Sequence, residues 1–90
     1  MKLNEQCMAD ILKICVSDIY VMESGGTVTR CKMLDFPDKL PQYTMSDVLY
    51  SLVKLVELNY IVTNEKLWNE YTKVLDVTYY GHKYLESFQQ

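Results

Sequence analysis

The chain is short of most of the residues that chemistry uses. It holds one histidine, three glycines, two prolines and three cysteines in 90 residues. A single histidine with no cysteine or carboxylate at ligand spacing beside it argues against a zinc site, which wants about four such groups. No Gly-x-Gly-x-x-Gly and no Gly-Lys-Ser occurs, so the usual phosphate cradles are missing. There is no Cys-x-x-Cys, and the cysteine count is odd. Nine Lys and Arg stand against twelve Asp and Glu, a net charge of −3. A general nucleic-acid binder draws most of its affinity from phosphate neutralisation and carries a basic excess. No run reaches about 18 apolar residues, so no segment reads as membrane-spanning. The opening MKLNEQCMAD reads as part of the domain rather than as a leader, and the expected location is the cytoplasm.

What is present suits one small globular domain over 1–90. Apolar content is 49% and charged content 23%, too apolar for a disordered chain. Cys7 and Cys15 lie on one helical pattern, roughly 12 Å apart in rise, too far for a disulfide. Together with Cys31 they read as reduced core residues.

Residues 4–22 read as a helix. Asn4 is its cap, and Leu3, Cys7, Met8, Ile11, Leu12, Cys15, Ile19 and Met22 form its buried stripe. Gly25-Gly26 reads as its stop. Residues 27–33 read as a strand. Pro37 and Pro41 make 35–43 a loop with room for one helical turn. Thr44-Met45-Ser46-Asp47 opens a second long helix, to about Leu58. On its wheel Met45, Val48, Leu49, Leu52, Val53, Leu55 and Val56 fill an arc of roughly 160°. Ser46, Asp47, Tyr50, Ser51, Lys54 and Glu57 face the other way. Residues 60–63 and 72–77 read as strands, with Lys73, Leu75 and Val77 alternating against Thr72, Val74 and Asp76. The stretch between them suits a helical turn or a hairpin tip, and the hairpin is preferred. A last helix follows Thr78, with Tyr80, Tyr84, Leu85 and Phe88 as its buried stripe. The order predicts an α+β winged helix with a degenerate second helix and a small antiparallel sheet.

Two segments carry a family resemblance. YTMSDVLYSLVKLVELNYI followed by VTYYGHKYLESF resembles the YjcQ-like family of small winged-helix proteins of Gram-positive bacteria and their phages. Tyr43 and Thr44 match the start of that family's central helix. Val48, Tyr50, Leu52 and Leu55 match its interior, and Glu57 and Ile61 its end. Thr78, Gly81, His82, Tyr84 and Leu85 match the closing motif. Asn59 replaces the family's Gly and Val77 its usual Leu. The resemblance implies a fold and a phage or prophage setting, and it implies no reaction.

For Gly81-His82 the expectation is structural: Thr78 caps the helix and Gly81 lets it approach a neighbouring helix closely. Ser17, Ser46, Ser51 and Cys31 lack the context of an activated nucleophile, so no catalysis and no cofactor are expected. Two binding readings remain. A protein partner of host or phage would be met by Asp47, Tyr50, Lys54 and Glu57 of the central helix and by Leu67 and Trp68 near the wing tip, since Tyr and Trp are favoured anchors. An anti-defence inhibitor such as an anti-CRISPR protein is one concrete form. Leu49 and Val53 form an apolar excess suited to a homodimer. The alternative is duplex DNA, read by a dimeric regulator through Arg30, Lys32, Ser46, Ser51, Lys54, Lys66 and Lys73.

Overall fold

A computed structural model describes residues 2–29, 31–64, 69 and 71–89. Arg30, Lys66, Leu67 and Trp68 therefore lie outside the described residues, as does the question of a helical turn at 65–68. Over the described residues the chain is an α+β domain of four helices and two small antiparallel sheets.

Helix α1 spans Glu5–Asp18, and the Asn4 side chain accepts a hydrogen bond from the Cys7 amide at 3.0 Å. It is shorter than its apolar pattern suggested. Ile19–Val21 forms strand β1, paired with β2 (Thr27–Thr29). The run Ile-Tyr-Val prefers extended backbone, and pairing with Thr-Val-Thr satisfies its amides. Gly25 and Gly26 therefore serve a hairpin turn rather than a helix stop. Gly25 has φ +90°, and the Met22 amide donates to the Gly26 carbonyl at 2.7 Å. Met22 accordingly faces solvent, as does Leu3.

The proline-bearing segment is more ordered than expected. A 3-10 turn at Met33–Asp35 runs into the short helix α2, Phe36–Lys39. Pro37 occupies its first turn, where a missing N–H costs nothing. Helix α3 spans Met45–Glu57, with Thr44 Oγ1 accepting from the Asp47 amide at 3.1 Å. It ends in a Schellman arrangement. The Tyr60 amide donates to the Leu55 carbonyl at 2.9 Å and the Asn59 amide to Val56 at 3.0 Å. Asn59 takes φ 61°, a conformation that Asn tolerates where the resembled family has Gly.

Strand β3 (Ile61–Thr63) pairs antiparallel with β4 (Val74–Val77), as the two strand segments led us to expect. Its simple alternation fails, because Val62 pairs with Asp76 and Thr63 with Val74. Leu75 is thus the extra residue of a bulge. The bulge turns both Val74 and Val77 into the core and leaves Leu75 outside. Beyond β2, Cys31 and Met33 hydrogen-bond to Val74 and Thr72, and Lys32 faces Lys73 in a single antiparallel bridge. The core lies between α1, α3 and the β3–β4 hairpin, with Phe36 and Met33 closing one side and Leu85 another.

Helix α4 (Tyr79–Gln89) is docked by its first turn. Thr78 donates its amide to the Tyr60 carbonyl at 3.0 Å and its hydroxyl to the Asn59 carbonyl at 2.6 Å. The same hydroxyl accepts from the Gly81 amide at 3.1 Å. A Cβ on Gly81 would overlap the Tyr60 carbonyl oxygen and come within 2.8 Å of a Val77 methyl. Gly81 thus permits a close approach, to the turn after α3 rather than to a helix. The buried stripe of α4 is Gly81 and Leu85 with Tyr84 and Phe88 half-buried. Tyr80 does not belong to it, being 61% exposed, because the close packing of Gly81 rotates the preceding residue outward.

Two tyrosines tie the periphery to α1. The Tyr43 hydroxyl donates to Asp10 Oδ2 at 2.6 Å. That hydrogen bond, with burial, raises its pKa from 10.0 to about 12. Burial, aided by the Glu5 carboxylate, raises Tyr84 to about 12 as well. Both phenols are held protonated in the folded state. Their contribution is complete below the ordinary tyrosine value and is lost as pH climbs through the raised one. The thermal midpoint is therefore expected to fall between pH 10 and 12, and Tyr43→Phe should flatten part of that fall. A midpoint independent of pH across this window would contradict the assignment. Gly81→Ala should destabilise the domain by about 1–3 kcal/mol, as over-packing against immobile backbone does. Denaturant unfolding measures it, and a change under about 0.5 kcal/mol would mean that the turn yields.

Candidate interaction surfaces

The outward face of α3 gathers part of the expected set. Lys54 Nζ donates to Glu57 Oε2 at 2.8 Å and lies 5.1 Å from the Tyr50 ring centroid. The Glu57 hydrogen bond raises the Lys54 pKa, so its charge is held by an acid and an aromatic face. The three residues form one connected group. Asp47 sits apart in the first turn, where the helix dipole favours an anion, and its carbonyl accepts from the Cys7 thiol at 4.0 Å. Ser46 is exposed beside it.

Ser51 is a correction. It is fully buried, so it contacts neither DNA nor solvent. The buried side of α3 is Val48, Ser51, Leu52 and Leu55, rotated toward Ser51 from the arc that hydropathy alone selects. The reason is steric: α1 packs against this face beside Cys7, where small side chains fit. The Ser51 hydroxyl lies next to the Cys7 thiol but completes no well-formed hydrogen bond. The same rotation leaves Met45 64% and Val53 44% exposed. Leu49 is half-buried against the core, so the apolar excess on this face is Val53 with Met45 more than Leu49 with Val53. Met45 is the residue sequence reasoning missed: its hydropathy placed it in the core, and only the direction of packing removes it.

The expected cations divide. Lys32 and Lys73 face each other across the bridge between the two sheets. Their neighbours Cys31, Met33, Thr72 and Val74 are all buried, so both ammonium groups stand on the outer face. Like charges opposite one another are unfavourable in a sheet. Elsewhere Lys13, Lys39 and Lys83 lie within 4.0 Å of Asp10, Asp18 and Glu86 respectively.

Tyr80, freed from the core, lines an open groove with Leu58, Asn59, Tyr60, Lys83 and Tyr84, of about 540 Å³. Tyr60 and Tyr84 stack there with centroids 5.1 Å apart. His82 is exposed and borders a smaller cavity of about 200 Å³ with Val16, Tyr20, Val21 and Asp76. Among the described residues, no group of three or more His, Cys, Asp or Glu could hold a metal ion, and no helix is long and apolar enough to cross a membrane. No family model matches the chain, and no curated protein or solved structure matches it.

Removing a buried hydroxyl without a full partner relieves a desolvation cost. Ser51→Ala is therefore expected to leave stability unchanged or raise it by up to about 1 kcal/mol, read by chemical denaturation. A loss above that size would show the hydroxyl to be bonded after all.

Proposed function

We propose that the chain is a winged-helix domain of phage or prophage type, akin to the YjcQ-like family, that acts in the cytoplasm without catalysis by binding a host or phage protein. The order of elements supports the fold: α1, an extended segment, the stunted α2, the central α3, and a β3–β4 hairpin as the wing. The extended segment adds to the hairpin through the Lys32–Lys73 bridge, as the first strand of that plan would. Helix α4 is an addition that closes the end of α3.

One observation carries the preference for a protein partner. The helix that this plan presents to a groove holds one cation, Lys54, and that cation is bonded to Glu57 and covers Tyr50. What remains outward is Met45 and Val53 beside a net negative charge. Apolar side chains framed by a tyrosine and an ion pair suit the core and rim of a protein interface. They repel a phosphate backbone. Obstruction of a partner's own binding site, as an anti-defence inhibitor would achieve, is the mechanism this surface fits.

A second reading rests on a separate feature. Lys32 and Lys73 stand side by side on the outer face of the sheet without an acid bonded to either among the described residues. A polyanion would relieve their repulsion.

The two readings separate in one comparison. Partner capture that survives nuclease and weakens about tenfold or more in Val53→Glu or Tyr50→Ala, each still folded, supports the protein reading. Retention of duplex DNA that falls steeply with salt, and whose salt slope drops by about 2 in the double variant Lys32→Gln/Lys73→Gln, would replace it.

A further inference from the structure

The strongest feature outside these surfaces is a pair of cysteines that the chain brings together from different elements. Ile19 pairs with Thr29 in the β1–β2 ladder. Cys15 lies four residues before Ile19, a rise of about 6 Å in a helix. Cys31 lies two residues after Thr29, and its amide donates to the Thr29 hydroxyl at 3.0 Å. The strands run antiparallel, so Cys15, whose carbonyl accepts from the Ile19 amide, and Cys31 lie to the same side of that pair, both next to Asp18. Their thiols adjoin closely enough to perturb each other's titration. The Cys31 thiol donates to Asp18 Oδ2 at 3.9 Å, and that oxygen is 3.6 Å from Lys39 Nζ. Both Asp18 and Lys39 are about a third exposed, so the pair lies just under a solvent-facing ion pair.

We propose that Cys15 and Cys31 form a peroxide-oxidisable site, with Cys31 as the attacking sulfur and Cys15 as the resolving one. The Cys31 thiolate attacks one oxygen of a hydroperoxide. The O–O bond breaks and the departing oxygen leaves as water or an alcohol after taking a proton. Cys31 becomes a sulfenic acid. The Cys15 sulfur then attacks the Cys31 sulfur, the S–O bond breaks, and hydroxide leaves as water with the Cys15 proton. Two thiols have lost two electrons to the peroxide, and one disulfide remains.

Three features favour this order. The neighbouring Cys15 thiol lowers the Cys31 pKa against the opposing effects of burial and the Asp18 carboxylate, with Thr29 and Lys39 aiding it, and the same contact raises that of Cys15. A thiolate is the reactive form. The resolving thiol lies beside its target, on the helical turn that also carries Asp18. Cys7 supplies the contrast: burial raises its pKa, and its thiol is bonded to the Asp47 carbonyl and lies beside Ser51. The disulfide would enclose the β1–β2 hairpin and tie the last turn of α1 to the segment that carries Lys32.

The test treats the reduced full chain with hydrogen peroxide, blocks remaining thiols with an alkylating agent, and measures intact mass and peptide map. The expected product has lost two hydrogens, takes up one alkyl group where the reduced chain takes three, and joins the Cys15 and Cys31 peptides. Its thermal midpoint should rise and return on reduction with dithiothreitol. Cys7→Ser should behave as the parent. Cys15→Ser should instead accumulate a sulfenic acid at Cys31, trapped by dimedone. If that variant does not fold, the parent's peptide map decides alone. Three alkylated cysteines after peroxide, a bond involving Cys7, or disulfides only between chains would overturn the proposal.

Discussion

The Tyr60 carbonyl is the point on which the architecture turns. It follows the left-handed Asn59 that ends α3, and it receives the Thr78 amide as β4 ends. Gly81 then packs onto it too closely for any Cβ. One oxygen therefore fixes the exit of α3, the closure of the β3–β4 hairpin and the angle of α4. Its partners are local in space and distant in sequence, so they form only when the hairpin register is correct. The bulge at Leu75 belongs to the same constraint. It keeps Val77 inward next to Gly81 while allowing Val74 to reach the core.

The consequences of that docking reach the surface. Because Gly81 faces inward, Tyr79 and Tyr80 are turned out, and Lys83 lies 5.4 Å from the Tyr79 ring centroid. The groove between α4 and the end of α3 is a by-product of the same close approach. On α3 an analogous rotation follows from α1. Its small residues meet Ser51, so a serine is buried while Met45 and Val53 are left in solvent. Met45, Val53 and Tyr80 thus owe their exposure to packing elsewhere in the domain.

Electrostatics then selects among uses of that face. An unpaired lysine on α3 would suit phosphate. A lysine bonded to Glu57 and laid over Tyr50 contributes amphipathic area and little net charge. The basic character of the domain lies instead at Lys32 and Lys73, on the sheet. The two faces are chemically distinct, which is why one domain supports two testable readings.

Much was legible from local signals. Asn4, Thr44 and Thr78 mark helix starts because a side-chain oxygen before a periodic run has one main use. Asn59 and Gly81 were recognisable through their backbone freedom, and the cysteines through hydropathy. The errors share one cause. Hydropathy placed Met45 and Tyr80 inside and Ser51 outside, and it extended α1 through Met22, because periodicity gives the width of an apolar stripe but not the direction from which a neighbour arrives. Only the tertiary structure sets that direction, since it depends on which small residues let two backbones meet. The same holds for Cys15 and Cys31. They are neighbours because one precedes Ile19 by a helical turn and the other follows its strand partner Thr29 by two residues, a meeting of elements that no single segment encodes.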